Sequence, residues 1–196
     1  MAEYLNRRFS DQDWEEMQIE GDSFTRCIFD GADLDGWETR RCTFNECSFA
    51  FARLSGSIHD HSAFLNCRFE HANLFSAEFL RCKCTGSVFA QAEIAGLTIA
   101  GGDFSFTVLC ELDLKGSNLS GINFSNADLR ECNLEKADLR SCNLTQALLQ
   151  NSRLAQADLR EAKLAGVDFR QVRMHKTKID LEQAVVIAEC LGASVY

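Results

Sequence analysis

The sequence predicts an all-β solenoid of short stacked segments, closed at its C-terminus by one short α-helix. Three observations predict it. A large hydrophobe recurs at every fifth residue over most of the 196-residue chain. A small residue recurs two positions before that hydrophobe. The final stretch abandons the five-residue period for helical spacing. Neither the 3.6-residue period of a helix nor the alternation of a strand fits the long repeat. A period of five with two apolar positions places both inward, on short segments separated by corners, and stacked coils then cover one another's apolar edges.

The elements follow in order. Residues 1–18 are less periodic, with only Phe9 and Trp14 in frame, and are expected to cap the N-terminal end. Residues 19–180 form the repeat. Every fifth position from Ile19 to Ile179 carries a sizeable hydrophobe except Thr39, His59 and Cys84. The small position holds Cys27, Ala32, Cys42, Cys47, Ala52 and their successors. The pattern is clearest in ADLRECNLEKADLRSCNL, Ala127 to Leu144. Ten of the twelve glycines lie two residues after the central hydrophobe, where a corner needs conformational freedom. Proline is absent, as expected where each backbone N–H must bond to a neighbouring coil. Residues 181–196 break the frame. Leu181, Ala184, Val185, Ala188 and Leu191 have helical spacing, Asp180 with Gln183 forms a capping box, and Gly192 ends the helix. This helix is expected to cover the last coil.

Twenty Lys/Arg against 29 Asp/Glu leave a formal charge of −9, which excludes a nonspecific nucleic-acid binder with a basic footprint. No apolar run reaches transmembrane length and the N-terminus has no signal-peptide core, so a cytoplasmic protein without a membrane partner is expected. The charge is uneven, at −7 over residues 1–60, −2 over 61–120 and 0 over 121–196.

The repeat resembles that of the pentapeptide-repeat proteins. That resemblance implies a right-handed quadrilateral β-helix with four pentads per coil, hence about eight coils and a rod roughly 40 Å long at the usual strand spacing. Cys27, Cys47 and Cys67 would then stack on one wall, as reduced thiols filling small core slots. Cys110 and Cys190 stand outside that ladder and are expected to be the most reactive. The tail KIDLEQAVVIAECLGASV, Lys178 to Val195, resembles the quinolone-resistance (Qnr) branch and its mycobacterial relatives. In that branch two chains join by their C-terminal ends into a rod that imitates duplex DNA and binds DNA gyrase or topoisomerase IV. The resemblance implies a homodimer through Leu181, Ala184, Val185, Ala188, Leu191, Val195 and Tyr196. It implies no cofactor, no metal and no direct DNA binding. Some members carry loops that interrupt the coils; here the frame runs unbroken from Ile19 to Ile179.

A partner-binding acidic surface is expected from the register at Asp30, Asp33, Asp35, Glu38, Glu70, Glu78, Glu93, Asp103, Glu111, Asp113, Asp128, Asp138, Asp158 and Asp168. Arg130, Arg140, Arg160 and Arg170 each follow an aspartate by two residues and should cancel part of it. Phe51, Phe75, Phe106, Leu65 and Leu80 are expected to point outward. His59-Asp60-His61 with His71 suggests a metal site, but His59 is an inward position and His61 an outward one. Buried His59 is expected to bond to Thr39, twenty residues earlier. No catalytic constellation stands out, and a convex rod offers no obvious concave pocket. The leading expectation is a noncatalytic DNA mimic protecting a topoisomerase against quinolones or a peptide toxin. A noncatalytic scaffold for an unrelated partner is the alternative.

Overall fold

A chain of pentads can satisfy its backbone only by pairing each short segment with the coil before and the coil after it. In the computed structural model, which describes residues 1–10 and 14–196, that pairing is parallel and twenty residues apart. β1 (Glu3–Leu5), β3 (Ser23–Thr25), β5 (Thr43–Asn45) and β7 (Ala63–Leu65) form one sheet. β2 (Gln18–Glu20), β4 (Glu38–Arg40), β6 (Ile58–Asp60), β8 (Glu78–Leu80) and β9 (Thr98–Ala100) form the second. Single-residue parallel bridges continue the register to the end of the repeat, as in Asp138↔Asp158↔Lys178. Twenty residues per turn and five per side give four faces, centred on Phe24, Phe29, Leu34 and Thr39 and their equivalents. The solenoid is right-handed.

Corners account for the residue types between the sides. The residue two after nearly every central hydrophobe has positive φ, as in Asn66 (52°), Gln91 (59°) and Gly96 (74°). Left-handed backbone costs a residue with a Cβ roughly 1–2 kcal/mol, so glycine and asparagine recur there. Gly102 is the strictest case. Its φ is 105°, and a Cβ there would lie 2.2 Å from the carbonyl oxygen of Cys82.

The core is a set of ladders running along the rod. Phe24, Phe44 and Phe64 stack face to face at 4.8 and 4.7 Å. Phe29, Phe49, Phe69 and Phe89 do the same at 4.8, 4.9 and 4.7 Å. These spacings equal the coil rise, so each ring meets its neighbour without a change of rotamer. Beyond Phe124 the ladders are mostly leucine, buried to the last coils.

Both ends differ from expectation. The N-terminal segment, apart from residues 11–13, which lie outside the described residues, continues the ladder rather than capping it. β1 pairs in register with β3, and Tyr4 stacks on Phe24 at 4.7 Å. Its aromatic residues extend the phenylalanine columns, so burial is gained by one more coil. At the other end α1 (Leu181–Cys190) forms with the expected capping box, Asp180 accepting from the Gln183 backbone and Gln183 from that of Asp180. It packs through Gln183 and Ile187, with Val186 and Cys190 half-buried, while Leu181 is 80% and Leu191 61% exposed. The Gln183 side chain donates to the carbonyl of Ala162 at 3.1 Å, an acceptor left open where the coils stop. That bond turns the helix so that Leu181 and Leu191 face outward.

Candidate functional site

The acidic residues singled out in the sequence do not share one face. Asp33, Asp35, Glu93, Glu111 and Asp113 lie on the Leu34 face or its edges. Glu38, Glu78, Asp138 and Asp158 lie on the neighbouring Thr39 face. Asp30, Glu70, Asp128 and Asp168 belong to the Phe29 face, and Asp103 to the Phe24 face. The twenty-residue turn sorts them this way.

Many are neutralised where they stand. Arg53 contacts Asp33 at 3.0 Å and Asp35 at 2.7 Å. Arg68 holds Glu70 at 3.1 Å, and Arg40 lies 3.9 Å from Glu38. Arg130, Arg140, Arg160 and Arg170 each reach the aspartate two residues earlier at 2.6 Å. A two-residue spacing on one side of the solenoid lets the guanidinium fold back, and its hydrogen bonds hold these carboxyls below the usual range, Asp158 at about 2. Asp30 is occupied by the Ser48 hydroxyl and the Ala50 amide. Of the remaining acids, Glu78, Glu93, Asp103, Glu111 and Asp113 have no cation within ion-pair distance among the described residues, although Asn123 donates to Asp103 at 2.8 Å and Asn133 to Asp113 at 2.7 Å. Of these, Glu93, Glu111 and Asp113 lie mid-rod on the Leu34 face or its edge, and Glu78 lies on the adjacent Thr39 face.

The same two faces carry a break in the backbone ladder. The repeating rule joins an amide to the carbonyl nineteen residues on, as in Leu74 to Glu93 (2.8 Å) and Ser76 to Ala95 (2.9 Å). One coil later the amides of Gln91, Ile94, Gly96, Ile99 and Gly101 have no such partner, and those of Asp113 and Asn118 lack the reverse bond. β9 is accordingly the edge of its sheet. On the other two faces the ladder is intact, with Phe89 to Val108 at 2.8 Å and Phe104 to Asn123 at 2.8 Å. The result is a cleft of about 620 Å³ lined by Gln91, Ala92, Ile94, Ala95, Cys110, Glu111, Leu112, Asp113 and Lys115. A featureless convex rod was expected, so this is a correction. The signal was present in the sequence. Leu97 and Leu112 occupy the small position on the two sides of the break, where Ala77 and Ala92 stand one coil earlier. Side chains larger than that slot's usual alanine crowd the neighbouring backbone there.

The other candidates are structural. The Thr39 hydroxyl lies 2.9 Å from His59 Nδ1 and Ser57 Oγ 3.1 Å from Nε2, so both ring nitrogens are satisfied inside the core. Burial pushes His59 down to about 3, which keeps it neutral. His61 points out and meets Asp60 at 3.0 Å. No cluster of three metal-ligating side chains exists among the described residues. All ten cysteines are free. Burial pushes the Cys82, Cys132 and Cys142 thiols up to about 12. The Cys110 thiol, half-buried, is also raised by burial, against the reactivity expected of it. Phe51, Phe75 and Phe106 are exposed as expected, Phe51 stacking on His71 at 4.8 Å, whereas Leu65 and Leu80 are half-buried. No helix among the described residues is long and apolar enough to cross a membrane.

Comparison with known proteins adds the following. The family of pentapeptide repeats matches residues 111–146 and 137–175. The pentapeptide repeat protein MfpA of Mycobacterium tuberculosis is 41% identical over 98 residues, 50% of this chain and 54% of that protein. The quinolone resistance pentapeptide repeat protein QnrB96 of Scandinavium goeteborgense is 30% identical over 115 residues, 56% of this chain and 51% of that protein. The chain thus spans about half the length of the curated relatives it matches. Among solved structures, a trypsin-treated form of QnrB1, a plasmid-mediated fluoroquinolone resistance protein, superposes with a TM-score of 0.87 at 22% identity, covering 100% of this chain and 98% of that one. HetL of Nostoc, involved in heterocyst differentiation regulation, superposes at 0.58 and 15% identity, covering 89% of this chain and 86% of its own. At those identities the two structures speak for the fold.

Proposed function

Because this chain is a pentapeptide-repeat protein closely related to the MfpA and Qnr proteins, we propose that it binds DNA gyrase or topoisomerase IV as a mimic of duplex DNA. In doing so it protects the enzyme from quinolones or a peptide toxin. The similarity to MfpA and to the quinolone resistance protein QnrB96 carries the reading. The rod supports it, since a solenoid of constant cross-section offers carboxylates along its length where a duplex offers phosphates. The enzyme's DNA-binding saddle is basic, so an uncancelled acidic stretch is drawn to it at long range. In this chain that stretch is Glu78, Glu93, Glu111 and Asp113. The arginine-clamped aspartates contribute shape more than field.

We further propose that two copies join at their C-terminal ends, and the exposed apolar groups there support this. Leu181, Leu191, Val195 and Tyr196 stand free of the last coil, with Tyr196 fully exposed. Two copies joined there would cover these groups and double the length of the rod. The uncancelled acids would then lie midway along each arm. No covalent chemistry is required of the protein in this mechanism; occupancy of the saddle does the work.

The test is DNA supercoiling by purified gyrase with the protein titrated in, with and without ciprofloxacin. Inhibition without drug, or rescue with it, at low micromolar protein is the expected outcome. No effect in either arm, with gyrase of the source organism included, overturns the topoisomerase reading and leaves a noncatalytic scaffold for another protein.

A further inference from the structure

We infer that the break between the coils is a binding slot for an extended, basic peptide segment of a partner protein, which inserts as an additional parallel strand. The inference does not depend on which enzyme the rod as a whole engages.

The backbone argues for the occupant. An ordinary sheet edge offers one row of unpaired groups and is already a template for strand addition. Here two rows face each other. On the Leu34 face, one lip presents the amides of Gln91, Ile94 and Gly96 and the carbonyl of Ala92. The other presents the amide of Asp113 and the carbonyls of Cys110, Asp113 and Lys115. These groups pair with each other everywhere else along the rod, so their phase is that of a parallel ladder. A strand laid between them in the same direction meets donors and acceptors on both sides. A side chain alone, or a folded surface, can satisfy only part of that array.

The lining argues for its chemistry. Ile94 and Leu97 are half-buried at the mouth, where their equivalents one coil earlier, Leu74 and Ala77, are fully buried. They would take the apolar side chains of an alternating segment. Glu93, Glu111 and Asp113 rim the same face without an ion-pair partner, and Lys115, the cation in the lining, is drawn to Glu135 at 3.2 Å. A segment alternating basic and β-branched residues answers both features.

The test uses the intact protein and a seven-residue peptide alternating Lys and Val, blocked at both ends. Amide hydrogen exchange is read residue by residue. In the free protein, Gln91, Ile94, Gly96 and Asp113 should exchange much faster than His71, Leu74, Ser76 and Glu93, their counterparts one coil earlier, which are bonded. Peptide at about ten times its Kd should slow the first group by about tenfold. The same peptide N-methylated at valine should not, and a Glu–Val peptide should bind at least tenfold more weakly. E93Q/E111Q, at exposed positions, should weaken the Lys–Val peptide without altering exchange in the core. Leu97→Ala with Leu112→Ala should close the slot, protecting those amides without peptide and abolishing binding. Four results overturn the inference. These are free-protein amides already as slow as their counterparts, no protection at millimolar peptide, equal protection by the methylated peptide, or equal binding of the Glu–Val peptide.

Discussion

Neutral His59 in the core should make the N-terminal coils sensitive to mild acid. Its imidazole is buried, edge-on to Phe64 and 6.0 Å from the Trp37 ring, and its pKa is about 3. In the unfolded chain it returns to about 6.5. The folded value is the depressed one. Its contribution is therefore fully present above pH 6.5 and falls as pH drops towards 3, because only the unfolded chain takes up the proton. Linkage gives a loss of about 2 kcal/mol between pH 7 and pH 5, rising to about 4 kcal/mol near pH 3. Carboxylates change little between pH 7 and 5, so this window isolates histidine. Urea unfolding followed by tryptophan fluorescence reads the right coils, since both tryptophans, Trp14 and Trp37, lie beside this cluster. The control is His59→Phe with Thr39→Val, which continues the phenylalanine ladder towards Phe79 and removes the hydroxyl partner. It should lose most of the pH 7 to 5 difference. An equal drop in both proteins would refute the reasoning, as would a parent whose stability is flat over that interval.

Neutralising the uncancelled acids, as Glu78→Gln, Glu93→Gln and Glu111→Gln together, should raise the concentration needed to inhibit gyrase severalfold and flatten its salt dependence. Neutralising Asp30, Asp33 and Asp35 to asparagine should have a smaller effect, because Arg53 and backbone amides already engage them; titrated supercoiling assays compare the two sets. Deleting residues 191–196 should turn a dimer into a monomer, read by sedimentation velocity, without shifting the unfolding of the coils. An aromatic thiol reagent under native conditions should modify Cys190 first and Cys110 more slowly, leaving the eight buried cysteines untouched until urea is added. Prompt reaction of more than two thiols would show that the coils open readily.

The candidate site was legible in kind but not in place. The aspartate–arginine pairs at two-residue spacing could be read directly, since both partners lie on one short side, and the structure joins all four. That Arg53 spans Asp33 and Asp35 could not, because those contacts cross from one coil to the next. The helix was legible through its capping box, a local hydrogen-bond exchange. Its orientation was not, because that depends on the open carbonyl of Ala162 in a distant pentad. The cleft left a trace at Leu97 and Leu112, but a bulky residue in a small slot has two outcomes. Trp37 occupies the same slot and is accommodated in an intact stack, edge-on to Trp14 and His59.

By itself, the sequence determined the repeat and its inward and outward positions. It also determined the small residues and thiols of the core, the absence of a breaker, and the closing helix, all of which follow from spacing within a few residues. The tertiary structure alone decided which acids share a face and which are cancelled, that the first residues join the stack, and where the ladder fails. The division has one physical cause. The ladder bonds that hold coil to coil join residues about twenty apart, and a five-residue pattern looks the same at each step along the chain whether a given pair of coils closes or parts.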